Sequence, residues 1–505
     1  MCRTCKLLLA PVAVLLMLFF SYVALHRFVD VDEGFYLIAS RLVLLHRTPY
    51  LDFFYTQAPL LPYAYAGWLK LFGLSWTSAR LFSAFLTTMI GLLIFEHVCR
   101  ETRRWAAGLS AIMLYASATY IFAWFPAVKT FSLATLLFFG AYVLLVRQSS
   151  TSSSKWLLPA SGVLLGLSVD TRSYLVALTP LLLWWILKNS VSGPITRIVH
   201  FIGGMLLGLL PSLWLLAASP SRFLFSNLGY HSMRSDAGLI GGWYKKLVVI
   251  GMVFAGPRET GLQFTIVALT SFILIFLMGM RRKSSILAFL IAFAVGVISI
   301  LPTPPFTQYF CICMPFLIVA AVCAASDYLR TLQGGSLRGT ALIFGELIIL
   351  FLGLSVSGFR SYLITGEEIM AGLGKSVDAQ NWSLARVRAV SKAIDDLSWP
   401  NEQVASFWPG YIFQTNALPY PGFENDFGIR VSEQLTAEQR ARYHIISPSE
   451  ISSYFAAHGP RIVVVGNQFY SSGHLPLVTA LLDRDGYRVV ESVGDTSVYL
   501  WGSGP

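Results

Sequence analysis

Charge is what this sequence has least of. Only 12% of its 505 residues are Asp, Glu, Lys or Arg, while 55% are hydrophobic and 14% aromatic; a soluble globular protein carries roughly a quarter charged residues. With a mean hydropathy of +0.63, this excludes an ordinary water-facing enzyme and places most of the chain in a bilayer. There is no GxxxxGK[ST], no HExxH and no GxSxG in a suitable context, so ATP-driven transport and zinc proteolysis lose support. Cysteines are few: Cys2, Cys5, Cys99, Cys311, Cys313 and Cys323, with none in the polar tail, so no disulfide framework is expected. Cys2 and Cys5 have CxxC spacing, but no second pair or histidine cluster stands nearby to complete a zinc site.

The charge that is present follows the apolar runs. Residues 1–359 hold 26 Lys/Arg against 11 Asp/Glu, and residues 360–505 hold 11 against 15. The basic residues cluster in short connections, such as Arg100, Arg103 and Arg104, or Arg281, Arg282 and Lys283. That is a topology signal, the positive-inside pattern, and not a nucleic-acid footprint.

Apolar runs of spanning character lie at about 6–29, 79–99, 105–123, 128–147, 156–170, 173–188, 198–218, 259–280, 285–302, 309–329 and 339–359, about eleven in all. With the amino terminus cytoplasmic, the basic connections fall inside, and the tail falls outside because the number of spans is odd. The expected location is the inner cell membrane, multi-pass, with a periplasmic or other extracytoplasmic tail. In the first outer loop, Gly34 to Arg47 and Gln57 to Phe72 have helical spacing but are too polar or too short to span, with breaks at Pro49 and Pro59. They read as interfacial helices, apolar side down, or as loop helices packed on the bundle. The tail alternates helix-like stretches (Trp382 to Leu397, Pro448 to His458, Leu475 to Asp485) with strand-like ones (Gln403 to Phe407, Arg461 to Val465, Tyr487 to Glu491, Ser497 to Trp501), which predicts a small α/β domain.

The segment FVDVDEGFYLIAS directly after the first run places Asp30, Asp32 and Glu33 at the outer membrane surface, and Asp52 follows in PYLDFFYTQAP. A roof over these acids would remove them partly from water and raise a carboxylate pKa toward the range of a general base; the alternative is a solvated loop end. A Mg²⁺ or Mn²⁺ ion held by Asp32, Glu33 and Asp52 is permitted by the oxygen ligands and not demanded. In VDTRSYL, Asp170 and Arg172 interrupt an apolar double span, where a charge needs a partner or a cavity. Arg172 with Lys129 would suit an anionic head group such as a phosphate, unless Asp170 and Arg172 merely pair at the turn. Arg222, Arg234, Lys245, Lys246 and Arg258 are further phosphate candidates in the outer loop, and Trp243 and Tyr244 suit sugar stacking. Arg80, opening the second run, reads as a snorkelling arginine.

DVDEGFY, TPYLDFFYTQAPLLPY, KLFG at Lys70 to Gly73 and SARLFSA, between about Asp30 and Ser83, resemble the polytopic GT-C glycosyltransferases. The nearest group looks like the dolichyl-phosphate-mannose-protein mannosyltransferase-like enzymes (RgtA/B/C/D-like, ArnT-related), with looser likeness at GLSVDTR and QYFCICMPF. The resemblance implies an α-helical polytopic membrane protein of GT-C type, with residues 1–359 as the transferase domain and 360–505 as the extracytoplasmic domain. It implies an inverting transferase that takes sugar from a polyprenyl-phosphate donor to a hydroxyl of a glycolipid, polysaccharide or protein. Asp32 is the expected general base, with Glu33 and Asp52 as associated carboxylates, and Arg172, Lys129 and Tyr309 hold the departing phosphate. Asp30, Gln57 and Arg80 are further substrate-binding candidates. Related enzymes often have a basic residue just before the tyrosine, where this chain has Gln308.

Two other classes compete. Many spans with Asp170 and Arg172 in apolar surroundings also suit a secondary transporter or lipid flippase. A non-enzymatic assembly protein is a third reading; deleting Glu367 to Pro505 should abolish that role, while a membrane active site would survive in part.

Overall fold

The structure, a computed structural model, describes residues 3–150, 156–190, 193–234, 238–256, 258–365, 379–466 and 475–502. Cys2 lies outside them, as does Glu367 at the expected start of the tail. In chain order the membrane part contains α1 (Arg3–His26), α2 (Val31–Leu44), α3 (Leu60–Phe72), α4 (Trp76–Thr102), α5 (Trp105–Ser117), α6 (Thr119–Trp124), α7 (Thr130–Ser150), α8 (Leu157–Thr171), α9 (Thr179–Lys188), α10 (Pro194–Gly208), α11 (Leu210–Ala218), α12 (Pro220–Leu224), α13 (Tyr230–Met233), α14 (Gly238–Ala255), α15 (Arg258–Phe272), α16 (Lys283–Ile300), α17 (Cys313–Thr331) and α18 (Gly334–Arg360). The chain is a multi-pass membrane protein.

Every apolar run read from the sequence falls on a helix. Among the described residues six helices are long and apolar enough to cross a bilayer: α1, α4, α7, α16, α17 with its lead-in turn, and α18. A seventh candidate is the pair α10 and α11, bent by 59°, with Pro211 in the first turn of the second half, where its ring and missing N–H break the ladder. The remaining runs are shorter apolar helices: α5, α8, Ser173–Lys188 and Gly261–Leu277. Three helices were not expected: α12, α13 and α14 lie inside the stretch read as the outer loop from Pro220 to Arg258.

Helices α8 and α10 meet backbone to backbone. A Cβ on Gly162 or Gly166 would run into the carbonyls of Phe201 and Met205, and one on Gly204 or Gly208 into those of Pro159 and Val163. Such small-residue contacts let apolar helices associate where lipid supplies no hydrophobic driving force between them.

The tail folds as expected, into α19 (Leu384–Leu397), β1 (Gln403–Ser406), β2 (Leu418–Pro419), α20 (Ala437–Tyr443), α21 (Pro448–Ala456), β3 (Ile462–Val465), α22 (Leu475–Arg484), β4 (Tyr487–Val493) and β5 (Thr496–Trp501). The sheet order is β2-β1-β3-β5-β4; β1 runs parallel to β2 and β3, and β5 antiparallel to β3 and β4. The central strand IVVV is buried throughout, as a strand covered on both faces must be. Val463 and Val465 enter a core with Phe407, Phe455 and Leu482, while Ile462 and Val464 join the core that includes Val387 and Ile394 of α19. A 3₁₀ stretch (Asp426–Gln434) and α20 were not foreseen; they dock against Phe54, Phe225 and Tyr230 of the membrane part.

This domain grips the start of α2. Val29 N–H donates to the Trp382 carbonyl at 2.7 Å, the Trp408 indole N–H to that of Val31 at 2.9 Å, and Arg41 to that of Ile412 at 2.7 Å. The Trp408 ring also faces Trp76 at the head of α4, centroids 5.9 Å apart. Positions 33 to 42 of α2 are all buried, so it is not an interfacial helix lying apolar side down: it is sandwiched between bundle and outer domain. Helix α3 keeps Leu71 and Phe72 exposed, as an interfacial segment does.

Candidate active site

The site is built on the first turn of α2. Asp30 is the N-cap: its carboxylate accepts from the Asp32 amide at 2.9 Å, and its own amide donates to Glu33 Oε1 at 2.8 Å, a reciprocal capping box. The VDVDEG sequence is thus first a helix start, and capping fixes where its three acids point.

Glu33 points inward and is fully buried. Its Oε1 also receives Arg80 Nη2 at 2.8 Å, and its Oε2 receives Arg80 Nε and the Val128 amide, each at 3.2 Å. Both oxygens therefore carry two donors, and no lone pair remains for a metal or a substrate. Burial alone would raise this carboxyl, but the guanidinium groups of Arg80 and Arg27 outweigh it and hold Glu33 below the ordinary carboxylate range. Arg80 is equally engaged: besides Glu33 it donates to the carbonyls of Ala24 and Arg27 at 2.9 Å and Phe28 at 3.3 Å. It is completely buried, so the snorkelling reading is corrected, and with all five N–H donors occupied it has none left for a substrate. Glu33 and Arg80 staple the end of α1 to α2 and α4.

Lys129 is the second buried cation. Its ammonium lies 2.8 Å from Asp30 Oδ1, 2.9 Å from Asp32 Oδ2 and 2.9 Å from Gln308 Oε1. These three partners take its three donors, so Lys129 holds the acids and not a phosphate. Gln308 accepts from this lysine, whereas the basic residue of related enzymes would confront it. Burial pushes the Asp30 carboxyl up and the Asp32 charge adds to this, against the pull of Lys129 and Arg27.

Asp32 differs from its neighbours in keeping access: its side chain is 28% exposed. Only Oδ2 is tied, to Lys129, and Oδ1 has no hydrogen-bond partner among the described residues. Arg172 is buried and lies 4.4 Å from the ring centroid of Phe131, 4.7 Å from Tyr174 and 4.9 Å from Tyr309. It donates to Thr130 Oγ1 at 2.5 Å, its Nε has no partner, and no carboxylate pairs with it among the described residues. Tyr36 is within electrostatic range of both Asp32 and Arg172. A guanidinium boxed by rings without a counter-ion is prepared for an anion, because a buried charge is stable only when paired.

Asp170 does not pair with Arg172. Its carboxylate receives the amide and the hydroxyl of Ser212, capping α11 just past the bend. Asp52 is exposed and accepts from the Thr48 amide at 2.6 Å, closing its own turn. Gln57 takes part through its carbonyl, which accepts from the Tyr50 hydroxyl. The set Asp32, Glu33 and Asp52 is therefore not brought together, and among the described residues no three His, Cys, Asp or Glu side chains converge as a metal site. The residues present do not fit the expected Mg²⁺ or Mn²⁺. Of the outer-loop cations, Arg222 donates to the Leu51 carbonyl and Lys246 to that of Leu301, Lys245 is exposed, and the Arg258 side chain lies outside the described part. Arg234 stands 5.6 Å above the Tyr230 ring. Trp243 and Tyr244 are largely exposed.

The C-terminal domain adds a residue that the sequence did not reveal. Asp426, beside Phe427, whose ring meets Phe35 of α2 at 4.1 Å, lies in electrostatic range of Asp32, and Tyr230 feels both. Burial raises Asp426 to about 7. Its signal was only a carboxylate in a Pro/Gly-rich loop nearly four hundred residues away.

The fold and these charges define a membrane-embedded GT-C architecture with its C-terminal sheet domain packed on the first turn of α2. Residues 56–216 match the model of a family described as dolichyl-phosphate-mannose-protein mannosyltransferase. A search of curated proteins returned no match. Among solved structures, ArnT from Cupriavidus metallidurans bound to undecaprenyl phosphate aligns over 100% of both chains with a TM-score of 0.66 at 14% identity. Its apo state aligns over 99% of each chain with the same score and identity. The archaeal oligosaccharyltransferase AglB from Archaeoglobus fulgidus, in complex with an inhibitory peptide and a dolichol-phosphate, covers 99% of this chain and 75% of its own, with a TM-score of 0.53 at 11% identity. The chain has the ArnT fold from end to end.

Proposed function

We propose that this protein is an inverting glycosyltransferase that moves a sugar from a polyprenyl-phosphate donor to an acceptor hydroxyl at the outer, periplasmic face of the inner membrane. One observation carries the reading: a buried arginine with no carboxylate partner among the described residues, Arg172, and an accessible carboxylate, Asp32, both lie within electrostatic range of Tyr36 and Tyr309. Asp32 takes the proton of the acceptor hydroxyl, whose oxygen attacks the anomeric carbon. The bond from that carbon to the phosphate oxygen breaks, and the lipid phosphate leaves as an anion toward Arg172, with Tyr309 and Tyr174 beside it. Lys129 positions Asp32. A fixed cation where negative charge develops is the largest source of rate in such a site. The undecaprenyl phosphate and dolichol-phosphate of the ArnT and AglB structures support a lipid-linked donor, and the basic connections support the orientation. The acceptor is a glycolipid, a polysaccharide or a protein. The bent pair α10 and α11 is the feature that suits the transporter reading, but Asp170 at the bend is engaged by Ser212.

The test offers labelled polyprenyl-phosphate sugars and membrane acceptors to wild type and Asp32→Asn and follows label leaving the donor. A loss of about 10²–10⁴-fold is expected on removing the base. Full transfer by the variant overturns the assignment.

A further inference from the structure

At the end of the bundle opposite the acids, α4 terminates at Thr102, and Arg103 and Arg104 follow, both exposed. Neighbouring cations are neutralised: Arg282 pairs with Asp327 and Glu101, and Arg100 and Arg147 pair with Glu96. Arg103 and Arg104 have no carboxylate partner among the described residues. From Arg104 a cavity of about 230 Å³ runs between α5, α15, α17 and α18. Its walls are apolar, built from residues such as Ala107, Leu114, Val267 and Phe351, and Ala325 and Ile348 are half-buried, so it opens sideways.

Two dimensions identify the occupant. From position 104 to position 114 along α5 is roughly 15 Å at 1.5 Å per residue, half of a hydrocarbon core of about 30 Å: the crevice is one leaflet deep, with a cation at its mouth. One turn in from Arg330, the hydroxyl of Ser326 lines the crevice, 5% exposed and without a hydrogen-bond partner. A buried hydroxyl calls for an acceptor, and here it stands between the arginine and the apolar depth. We infer that this crevice is a binding site for one anionic phospholipid, with the phosphate on Arg104, an ester or glycerol oxygen on Ser326, and an acyl chain along the α5–α15–α17–α18 walls. A cationic rim between transmembrane helices, leading to an apolar slot, selects an anionic head group over a zwitterionic one. The site is independent of the transfer chemistry.

The test is native mass spectrometry of the full-length protein extracted from vesicles of equal phosphatidylglycerol and phosphatidylethanolamine, counting the lipid retained as detergent is increased. One phosphatidylglycerol is expected to persist after the surrounding lipids are stripped. Arg104→Gln should weaken its retention about fivefold, the effect of one basic residue at a membrane surface. Ala325→Trp, which fills the crevice, should abolish it, and Arg281→Gln, a cation at the same end outside the crevice, should leave it unchanged. Equal retention of the two lipids, or wild-type retention by Arg104→Gln, overturns the proposal; so does a dimer closing over this face with no lipid inside. Should Ala325→Trp not fold, the Arg104 variant and the lipid comparison still decide.

Discussion

Glu33 and Arg80, 47 positions apart in sequence, form a two-pronged ion pair with both side chains fully buried. This pair, and not a reacting group, is what the second acid of the DE doublet provides. Arg80→Met leaves Glu33 ionised and unpaired in the interior, and removing one partner of a buried pair costs about 3–5 kcal/mol. Thermal unfolding in detergent should show a large loss for Arg80→Met and for Glu33→Gln, whereas Asp32→Asn should unfold close to wild type.

Arg172 should be as important to turnover as Asp32. Arg172→Gln removes the charge proposed to receive the leaving phosphate, and a loss of about 10²–10³-fold in kcat is expected for one such group. Arg172→Lys should recover little, because a lysine lacks the planar face that three rings enclose. Single-turnover release of label from the donor measures both, and an unimpaired lysine variant would contradict the role given to the cage.

The docking of the outer domain should depend on pH in both directions. Burial raises Asp426 and Glu424 to about 7, so the stability they contribute is full below the ordinary carboxylate value of about 4 and is lost as pH rises from there through 7. Burial lowers His231 and His444, which donate to the carbonyls of Thr56 and Leu51 in the first outer loop. Their contribution is present above the ordinary imidazole value of about 6.5 and lost as pH falls below it. Hydrogen-exchange protection at 424–434, corrected for the intrinsic pH dependence of amide exchange, should therefore fall as pH rises from about 4 to 7, with the two histidines opposing the fall just below about 6.5, and Asp426→Asn should make the fall shallower.

Helices α8 and α10 admit no side chain between them. Gly166→Val should force them apart and lower the unfolding temperature by several degrees, while Gly203→Val should not, since a Cβ there meets nothing. Equal behaviour of the two would show that the close approach carries no weight.

The α/β tail was readable because alternating buried and exposed positions, and turns rich in Gly and Pro, are local properties. The apolar runs were readable for the same reason, and so was the cluster of acids after the first of them. What could not be read was partnership at a distance. Nothing near Glu33 indicates that an arginine after the next helix engages both its oxygens, and nothing near Asp170 indicates that it caps a helix after a bend at Leu209. Asp52 looked like a second catalytic acid because it sits one loop away in sequence, yet it closes a turn with Thr48. Asp426 was invisible because its role depends entirely on where the outer domain rests.

Trp408 presses so closely on the first turn of α2 that any side chain at Gly34 would strike its ring, at 2.6 Å from the nearest atom. The carboxylate proposed as the base is therefore positioned by a residue made more than three-quarters of the way through synthesis. A chain truncated before the tail lacks Trp408, and with it the ring over Gly34 and the indole bond to Val31 that fix the first turn of α2. Deleting the tail should silence transfer and not merely reduce it. For the proposed reaction, synthesis order is an interlock: the base is set only once the polypeptide is finished.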